Sequence, residues 1–395
     1  MSVDTGPDSA GRTRAVPTKV MPALARRHDI DRLRILAVLL LLPFHSARVF
    51  NADDWYVKNT PPSPFLGRTI VEFLDPWHMP LLFVLAGVAT WFALGHRSAG
   101  TYARERTRRL LVPFVFGLVV IVPPQTWFGA SSHGPHVSIG TMYADFWRFE
   151  GDLSGYTGGF TPGHMWFVAY LFVFSLVALP LLVRLREAAT PHDLGRPWFL
   201  FALPLVLLVT EALPGPENAW NPFTCLGLFV AGFVYASSPT LQRIVERRWP
   251  WILAGAVLTM TAVYAVNIAD PAWADRSWQD ALFQVLENTN TWMWVLGLIG
   301  AARAFLDRPD TPALRYANQA AYPWYILHQT VIVAVAYVVV GWDLGIAVKF
   351  VAVLVFSTAV TLLVYDLLVR RWDPVRFLFG LKRKPERARG PAPLR

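Results

Sequence analysis

The chain has 395 residues, of which 54% are hydrophobic and 16% charged, with a formal net charge of +9. A soluble domain carries about a quarter charged residues, whereas repeated apolar runs near 20 residues long are typical of transmembrane helices. The composition therefore excludes an ordinary soluble protein, and the single cysteine, Cys225, excludes an intramolecular disulfide and a cysteine-based metal site.

Ten apolar segments predict an all-α integral membrane protein, a bundle of about ten transmembrane helices within residues 31–381. Residues 1–30 and 382–395 are polar, basic and contain proline, which predicts disordered cytoplasmic tails. No small-residue cleavage site follows the first segment, so we interpret that segment as an uncleaved anchor. In chain order the segments cover approximately 34–51, 74–95, 110–127, 165–183, 197–213, 222–238, 249–269, 281–305, 320–341 and 344–369.

Basic residues are unevenly divided between the two sides of this bundle. Thirty of the 36 lysines and arginines, counting Arg34, fall in the two tails and the even-numbered loops. Because cytoplasmic loops carry an excess of basic residues, both termini are predicted to be cytoplasmic. Basic tails also favour anionic headgroups, so the charge points to the lipid bilayer and not to nucleic acid. The opposite side holds Arg48, Lys58, Arg68, Arg148 and Arg276, and Lys349 lies inside the last segment.

The first apolar segment carries one arginine at its entrance, Arg34, and one histidine, His45. At about 100° per residue their separation makes three turns plus roughly 20°, so both side chains are predicted on one helix face about 16 Å apart. Arg34 would then lie at a membrane surface and His45 near the bilayer midplane. An ionisable residue at that depth predicts a functional site, although a snorkelling arginine and a hydrogen-bonded structural histidine fit the same pattern.

The loop before the third segment reads RERTRRLLVPF and is dense in arginine. Arg106 and Arg109 are three residues apart and are predicted to share a helical face. Planar guanidinium groups bind phosphates in a bidentate fork. The density of arginine therefore favours a polyphosphate ligand over an ordinary basic loop.

Further histidines are predicted between the midplane and the outer surface, namely His78, His164 and His328. Imidazole titrates near neutral pH, which suits a general base, and it is also a common metal ligand. No two of these histidines and His45 share a helix, and no HxxxH or HxxE spacing accompanies them, so we expect no metal site. The external loop from Phe128 to Gly163 is either a connector or a lid or sugar-binding surface.

These features occur together in one known family. The chain resembles the bacterial membrane acyltransferases often called acyltransferase 3, and in particular the glucan-biosynthesis proteins that succinylate periplasmic glucans. The similarity covers Asp31 to about Lys382. It is carried by the Arg34–His45 spacing, MPLLFVLAG from Met79, the Arg106–Arg109 pair before LLVP, PPQ from Pro123, HMWF from His164, YPWYILHQ from Tyr322 and the closing RFLFGLK.

The resemblance implies a multi-pass enzyme of the inner cell membrane. Such an enzyme would transfer an acyl group, acetyl or succinyl, from cytoplasmic acyl-CoA to a hydroxyl of an extracytoplasmic glycan or similar acceptor. It implies that Arg34 and His45 are essential. His45 would act either as general base for the hydroxyl or as a covalent carrier of the acyl group.

The remaining site residues follow from combining this resemblance with the layout of the spans. We expect His164 and His328 to join His45 and Arg34 in the catalytic site. We expect Arg34, Arg106 and Arg109 to bind the CoA phosphates. Donors to the developing oxyanion are expected among Trp166, Tyr322, Asn288 and Asn290.

Two other functions fit parts of the pattern. A proton-coupled multi-pass transporter of an envelope metabolite would use His45 and His328 as relay groups. A structural subunit of a glycan-export complex would tolerate the loss of His45. No internal repeat is visible between the two halves, which favours the enzyme over the transporter. The acyl group, the acceptor and the oligomeric state stay open.

Overall fold

The computed structural model of the chain describes residues 27–135, 138–149, 153–189, 196–216, 220–269, 271, 273 and 277–383. All regular secondary structure in these ranges is helical, as the sequence predicts. The helices are α1 His28–Arg48, α2 Pro64–Gly95, α3 Ala99–His133, α4 Ile139–Phe146, α5 Gly163–Val177, α6 Leu179–Ala189, α7 Phe199–Glu211, α8 Pro222–Ser237, α9 Pro239–Ala269, α10 Trp278–Leu306, α11 Pro312–Val339, α12 Ile346–Val369 and α13 Asp373–Leu378.

Within the described ranges, five helices are long and apolar enough to cross a membrane: α2, α3, α9, α11 and α12. The count rises to six if α5 and α6, bent by 59° at their junction, form one span. Each of the ten predicted apolar segments coincides with a helix or with this bent pair. However, α7 and α8 have only 13 and 16 residues, fewer than the about 20 that cross a hydrocarbon core. The chain is thus a multi-pass membrane protein with fewer clear spans than predicted.

The two predicted tails fall mostly outside the described residues. Residues 1–26 and 384–395 are not described, so the predicted disorder there stays a prediction. At the amino-terminal boundary, α1 begins at His28, a few residues before the predicted start at Asp31. Arg34 therefore lies more than one turn inside α1, and His45 lies in its last turn.

Helix α1 occupies a central place in the bundle. It packs against α2, α10, α11 and α12.

Helices α2 and α8 approach each other closely because glycines face the partner backbone on both sides. A Cβ atom at Gly87 would lie 2.0 Å from the carbonyl oxygen of Phe229, and one at Gly232 would lie 2.0 Å from that of Val84. Small residues at helix crossings allow this close packing in membrane proteins.

The segment that follows α1 folds into the protein interior. Val49, Phe50, Trp55, Tyr56 and Val57 are each at most 2% exposed. Burial of these large apolar side chains holds the segment over the end of α1. The last turn of α1, which carries His45, therefore lies beneath protein.

Candidate active site

The four histidines that the sequence places in the outer half of the bundle line one cavity. Its volume is about 390 Å³. Each histidine comes from a different helix: His45 from α1, His78 from α2, His164 from α5 and His328 from α11. We call this space the histidine cavity.

Three of the four imidazoles form a group with His328 at its centre. The ring centroids of His45 and His328 lie 5.1 Å apart, and those of His164 and His328 lie 5.2 Å apart. His45 also stacks on Trp55, with centroids 5.9 Å apart and an interplanar angle of 12°. His78 Nε2 instead donates a 2.6 Å hydrogen bond to the carbonyl oxygen of Ala37, which ties α2 to α1. His45, His164 and His328 are therefore the histidines that could act on one substrate group.

His164 uses both ring nitrogens in contacts with neighbouring helices. Its Nε2 donates to the carbonyl oxygen of Ile326 at 2.9 Å, so its Nδ1 is the acceptor and receives Gln125 Nε2 at 3.3 Å. The hydroxyl of Tyr325 donates to the backbone carbonyl oxygen of His164. Gln125 is oriented in turn by Gln329, whose Nε2 donates to Gln125 Oε1 at 2.9 Å. These contacts position His164 and leave it less suited than its neighbours to accept a proton.

His328 and His45 differ from His164 because each has a ring nitrogen without a partner. His328 Nδ1 donates to the carbonyl oxygen of Tyr325 at 2.6 Å. A carbonyl oxygen only accepts, so Nδ1 carries the proton of the neutral ring and Nε2 keeps its lone pair. Within the described part of the chain, His328 Nε2 and His45 Nδ1 are both buried without a hydrogen-bond partner. These two imidazoles are the candidates for a general base.

Apart from Trp166, the rest of the cavity wall comes from residues that sequence reasoning did not assign to the site. Arg48 and Asp75 contribute one charge of each sign. Asp75 precedes His78 by one helical turn, and Trp55 lies on the segment that follows His45. Their closeness to these histidines in the sequence is the signal by which they could have been predicted to line the site. The aromatic part of the lining, apart from the histidines, comprises Phe44, Trp55, Tyr56, Tyr156, Trp166, Tyr170, Trp220 and Tyr325.

Part of the predicted external loop closes over this cavity. The described stretch between Leu153 and Gly163 contributes several lining residues, whereas residues 136–137 and 150–152 of the loop lie outside the described ranges. The Tyr56 hydroxyl donates to the carbonyl oxygen of Ser154 at 3.1 Å, and the rings of Tyr56 and Tyr156 meet edge to face at 5.0 Å. The loop is therefore anchored to the buried segment that follows α1.

That segment is held in place by a charged cluster beside the cavity. Lys58 Nζ donates to the carbonyl oxygen of Arg48 at 2.6 Å and to Asn51 Oδ1 at 2.9 Å. Burial, together with the nearby Arg48 guanidinium, lowers the pKa of Lys58 to about 8. Arg48 donates to Asp53 at 2.6 Å, which fixes its guanidinium at the cavity wall.

Arg34 is not among the residues that line the histidine cavity. Its guanidinium donates to Asn318 Oδ1 at 2.9 Å and to Asp31 at 3.2 Å. Asn318 and His328 both belong to α11, so Arg34 and His45 contact the same helix, as their spacing predicts. The order of these contacts also shows that α1 and α11 run parallel.

A second cavity, of about 360 Å³, lies at the opposite end of α3 from the residues that contact His164. Its charged lining is Glu105, Arg108, Arg109, Lys382 and Arg383, so positive charge dominates. We call it the basic cavity.

The structure separates the predicted arginine pair. Arg109 lines the basic cavity, but Arg106 turns toward α2, where it donates to Thr90 Oγ1 at 3.2 Å and lies 4.9 Å over the Tyr102 ring. The reason is a π-helical turn over Thr107–Leu111, which is wider than an α-helical turn and moves residues three apart off a common face. Arg34 and Arg106 remain close enough to Arg109 to add to the positive potential there.

Two of the expected oxyanion donors lie away from the histidine cavity. Asn288 donates to Glu211 at 2.9 Å, and Asn290 donates to the carbonyl oxygen of Ala256 at 2.8 Å, so both tie helices together. Trp166 lines the cavity, whereas Tyr322 does not. Within the described ranges, no group of three or more histidine, cysteine, aspartate or glutamate side chains is arranged to hold a metal ion.

Comparison with known proteins places this arrangement in a family. Glucans biosynthesis protein C of Shigella dysenteriae serotype 1 is 22% identical over 174 residues, and that of Escherichia coli strain SMS-3-5 is 21% identical over the same length. Each match spans 42% of this chain and 42% of the relative, so less than half of the length of these relatives is covered. No solved structure matches the chain. The family model described as an acyltransferase domain, acyltransferase 3, matches residues 27–368, and the chain belongs to this acyltransferase family.

Proposed function

We propose that the protein transfers an acyl group from acyl-CoA to a hydroxyl of an extracytoplasmic glycan or similar acceptor. The observation that carries this proposal is the histidine cavity, which is walled by aromatic and charged side chains. Two of the histidines that line it, His45 and His328, each have a ring nitrogen without a hydrogen-bond partner in the described part of the chain. Membership of an acyltransferase family supports the reaction class. The names of the distant relatives support a glucan as acceptor and do not identify the acyl group, for which acetyl and succinyl are the candidates.

In this proposal the bundle crosses the inner cell membrane ten times, with both termini cytoplasmic. The asymmetry of basic residues supports this topology. It places the basic cavity in the cytoplasm and the histidine cavity on the outer side. Reporter fusions at Ala130 and Arg395 should then report opposite sides, and the same side for both would show that the number of crossings between them is wrong.

The basic cavity is the proposed site for the phosphates of the donor. Arg109 and its basic neighbours carry positive charge and N–H groups that can donate hydrogen bonds to phosphate oxygens. An extended pantetheine arm has a reach of about 15–20 Å, close to the about 16 Å between Arg34 and His45 along α1. Polar groups that are buried without partners in the described ranges lie along α11 between the two cavities, namely Asn318 Nδ2 and the Tyr322 hydroxyl. They support a route for the arm beside α11.

The histidine cavity is the proposed site for the acceptor. Aromatic faces carry partial negative charge and can pack against the C–H groups of a sugar ring. Arg48 and Asp75 can exchange hydrogen bonds with sugar hydroxyls. A neutral apolar acceptor would form no hydrogen bonds with the side chains of Arg48 and Asp75.

The proposed chemical step needs one base and no acyl-enzyme intermediate. The acceptor oxygen attacks the thioester carbonyl carbon while His45 takes the hydroxyl proton. The tetrahedral intermediate then expels the thiolate by breaking the C–S bond, and the thiolate receives that proton from His45. The products are one ester and one free CoA thiol. His328 lies beside His45 and can serve as its hydrogen-bonding neighbour, and Trp166 at the cavity wall can donate to the oxyanion.

The test uses purified protein in lipid nanodiscs with acetyl-CoA or succinyl-CoA and a periplasmic glucan. We expect release of CoA thiol that depends on the glucan, with mass spectrometry showing one ester per thiol released. Ester formation would exclude a transporter or a purely structural subunit. Failure of both donors with hydroxyl acceptors, while the protein carries a metabolite across proteoliposomes in a proton-dependent way, would favour the transporter.

A further inference from the structure

The C-terminal segment of the described chain forms part of the basic cavity. Phe377, Gly380, Leu381, Lys382 and Arg383 all line this cavity, opposite the start of α3. The segment contains the RFLFGLK motif, to which the reaction itself assigns no role. Its two basic side chains therefore face the same space as Arg108 and Arg109.

Arg376 holds this segment in one conformation. Its side chain is buried, and its Nε and one Nη donate to the carbonyl oxygen of Lys382 at 2.9 and 2.7 Å. The other Nη donates to the carbonyl oxygen of Arg370 at 3.2 Å. The backbone closes the same turn, because the N–H of Leu381 donates to the carbonyl oxygen of Arg376 at 2.8 Å. Because the buried guanidinium binds carbonyl oxygens on both sides of the turn, it fixes the position of the Lys382 backbone.

Gly380 lets the turn contact α3 and α11. Its φ is +70°, a left-handed conformation that favours glycine. A Cβ atom there would lie 2.8 Å from the carbonyl oxygen of Arg109 and 3.0 Å from the Tyr322 ring. Phe377 packs under Arg108, whose guanidinium lies 5.3 Å from the ring centroid. The turn and the arginines of α3 are thus packed as one unit.

We propose that Lys382 and Arg383 bind the phosphates of the donor together with Arg108 and Arg109, and that Arg376 and Gly380 are positioning residues for this clamp. The proposal rests on the proposed function, because it takes a CoA ester as the ligand. Four basic side chains on two walls match the several negative charges of a CoA diphosphate and ribose phosphate. The same chemistry would also bind a lipid headgroup, so the experiment separates the two sources.

The test measures CoA and dephospho-CoA binding to the full-length protein in nanodiscs, with and without phosphatidylglycerol, at several salt concentrations. For the Lys382→Gln, Arg383→Gln double variant we expect the Kd of CoA to rise about tenfold or more in neutral lipid, because charge-assisted hydrogen bonds are lost. The salt dependence of binding should also become shallower. The matched control is Arg247→Gln, Arg248→Gln, which removes an adjacent exposed pair outside the cavity and should leave the Kd unchanged.

The positioning role has its own readout. Gly380→Ala removes no charge but cannot keep the turn against α3 without a shift. We expect a higher Kd for CoA with an unchanged salt dependence. Arg376→Lys keeps the positive charge but cannot bind the carbonyl oxygens of Arg370 and Lys382 together, so it should act in the same way and tests the turn independently if Gly380→Ala proves unstable.

Equal effects of the double variant and the control pair on the Kd of CoA would overturn the inference. The basic residues would then act only through the net charge of the protein and not through contacts in the cavity. An unchanged Kd for CoA, with altered dependence on phosphatidylglycerol, would also overturn it and assign the segment to lipid headgroups. If Arg109→Gln weakens CoA binding while the double variant does not, the clamp fails and the proposed function stands. If the wild-type protein binds no CoA ester at all, the proposed function itself fails.

Discussion

The histidine cavity and the basic cavity are similar in volume, about 390 and 360 Å³, but differ in the side chains that dominate their lining. The histidine cavity has imidazoles from four helices among aromatic side chains, and part of its wall is a loop anchored to a buried segment. The basic cavity has guanidinium and ammonium groups from one helix and one C-terminal turn. Imidazole can exchange a proton near neutral pH, whereas guanidinium stays charged and binds anions. This difference is the basis on which we propose proton transfer in the histidine cavity and donor binding in the basic cavity.

Loss of the base in the histidine cavity should have the largest effect. His45→Gln keeps a hydrogen-bonding group of similar size but cannot take a proton. We expect kcat to fall by a factor of about 10² to 10⁴, with the donor KM unchanged. The measurement is the steady-state rate of thiol release with purified variants.

His328→Gln and His78→Gln complete this experiment. His328 contacts His45 and has an unpartnered nitrogen within the described ranges, so its loss should also lower kcat strongly. His78 lines the same cavity but binds the Ala37 carbonyl oxygen. His78→Gln should therefore lower kcat less than His45→Gln or His328→Gln does. Near-normal turnover in His45→Gln with loss in His328→Gln would move the base to His328.

Changes in the basic cavity should act on binding. Arg109→Gln should raise the donor KM by about ten- to a hundredfold and leave kcat nearly unchanged, because a charge-assisted hydrogen bond to phosphate is lost. Arg109→Lys should be intermediate, since an ammonium lacks the bidentate fork. Arg106→Gln should have a smaller effect, because Arg106 contacts Thr90 and Tyr102. A larger effect at Arg106 than at Arg109 would contradict the assignment of Arg109 to the donor site.

The smallest effect is expected at the aromatic mouth of the histidine cavity. Trp220→Ala removes an aromatic face but keeps the carbonyl oxygen that accepts from the Tyr170 hydroxyl at 3.2 Å. We expect the acceptor KM to rise about two- to tenfold, with the donor KM unchanged. A change in the donor KM instead would show that the two cavities do not bind separate substrates.

Hydropathy predicts where the helices lie, because apolar runs must pair their own backbone groups in a membrane. The spacing of Arg34 and His45 predicts that both lie on one face of α1, and both contact α11. Local periodicity fails at Arg106, where the π-helical turn over Thr107–Leu111 changes which side chains share a face.

Contacts between distant segments are not readable from one sequence. Gln125 and Ile326 occupy both nitrogens of His164, and nothing in the HMWF motif indicates this. The second wall of the basic cavity comes from Lys382 and Arg383, far along the chain from Arg109. Both depend on how helices pack, and hydropathy does not determine packing partners.

The sidedness of acyl transfer in proteoliposomes of known protein orientation is the most direct test of the proposed roles of the two cavities. Acyl-CoA with a labelled acyl group is supplied on the side of the basic cavity, and the glucan is enclosed on the side of the histidine cavity. We predict labelled ester on the glucan, with one CoA thiol released on the donor side per ester, and neither product with His45→Gln. Ester that forms only when donor and glucan share one side, or at an equal rate with His45→Gln, would contradict the division of labour between the two cavities.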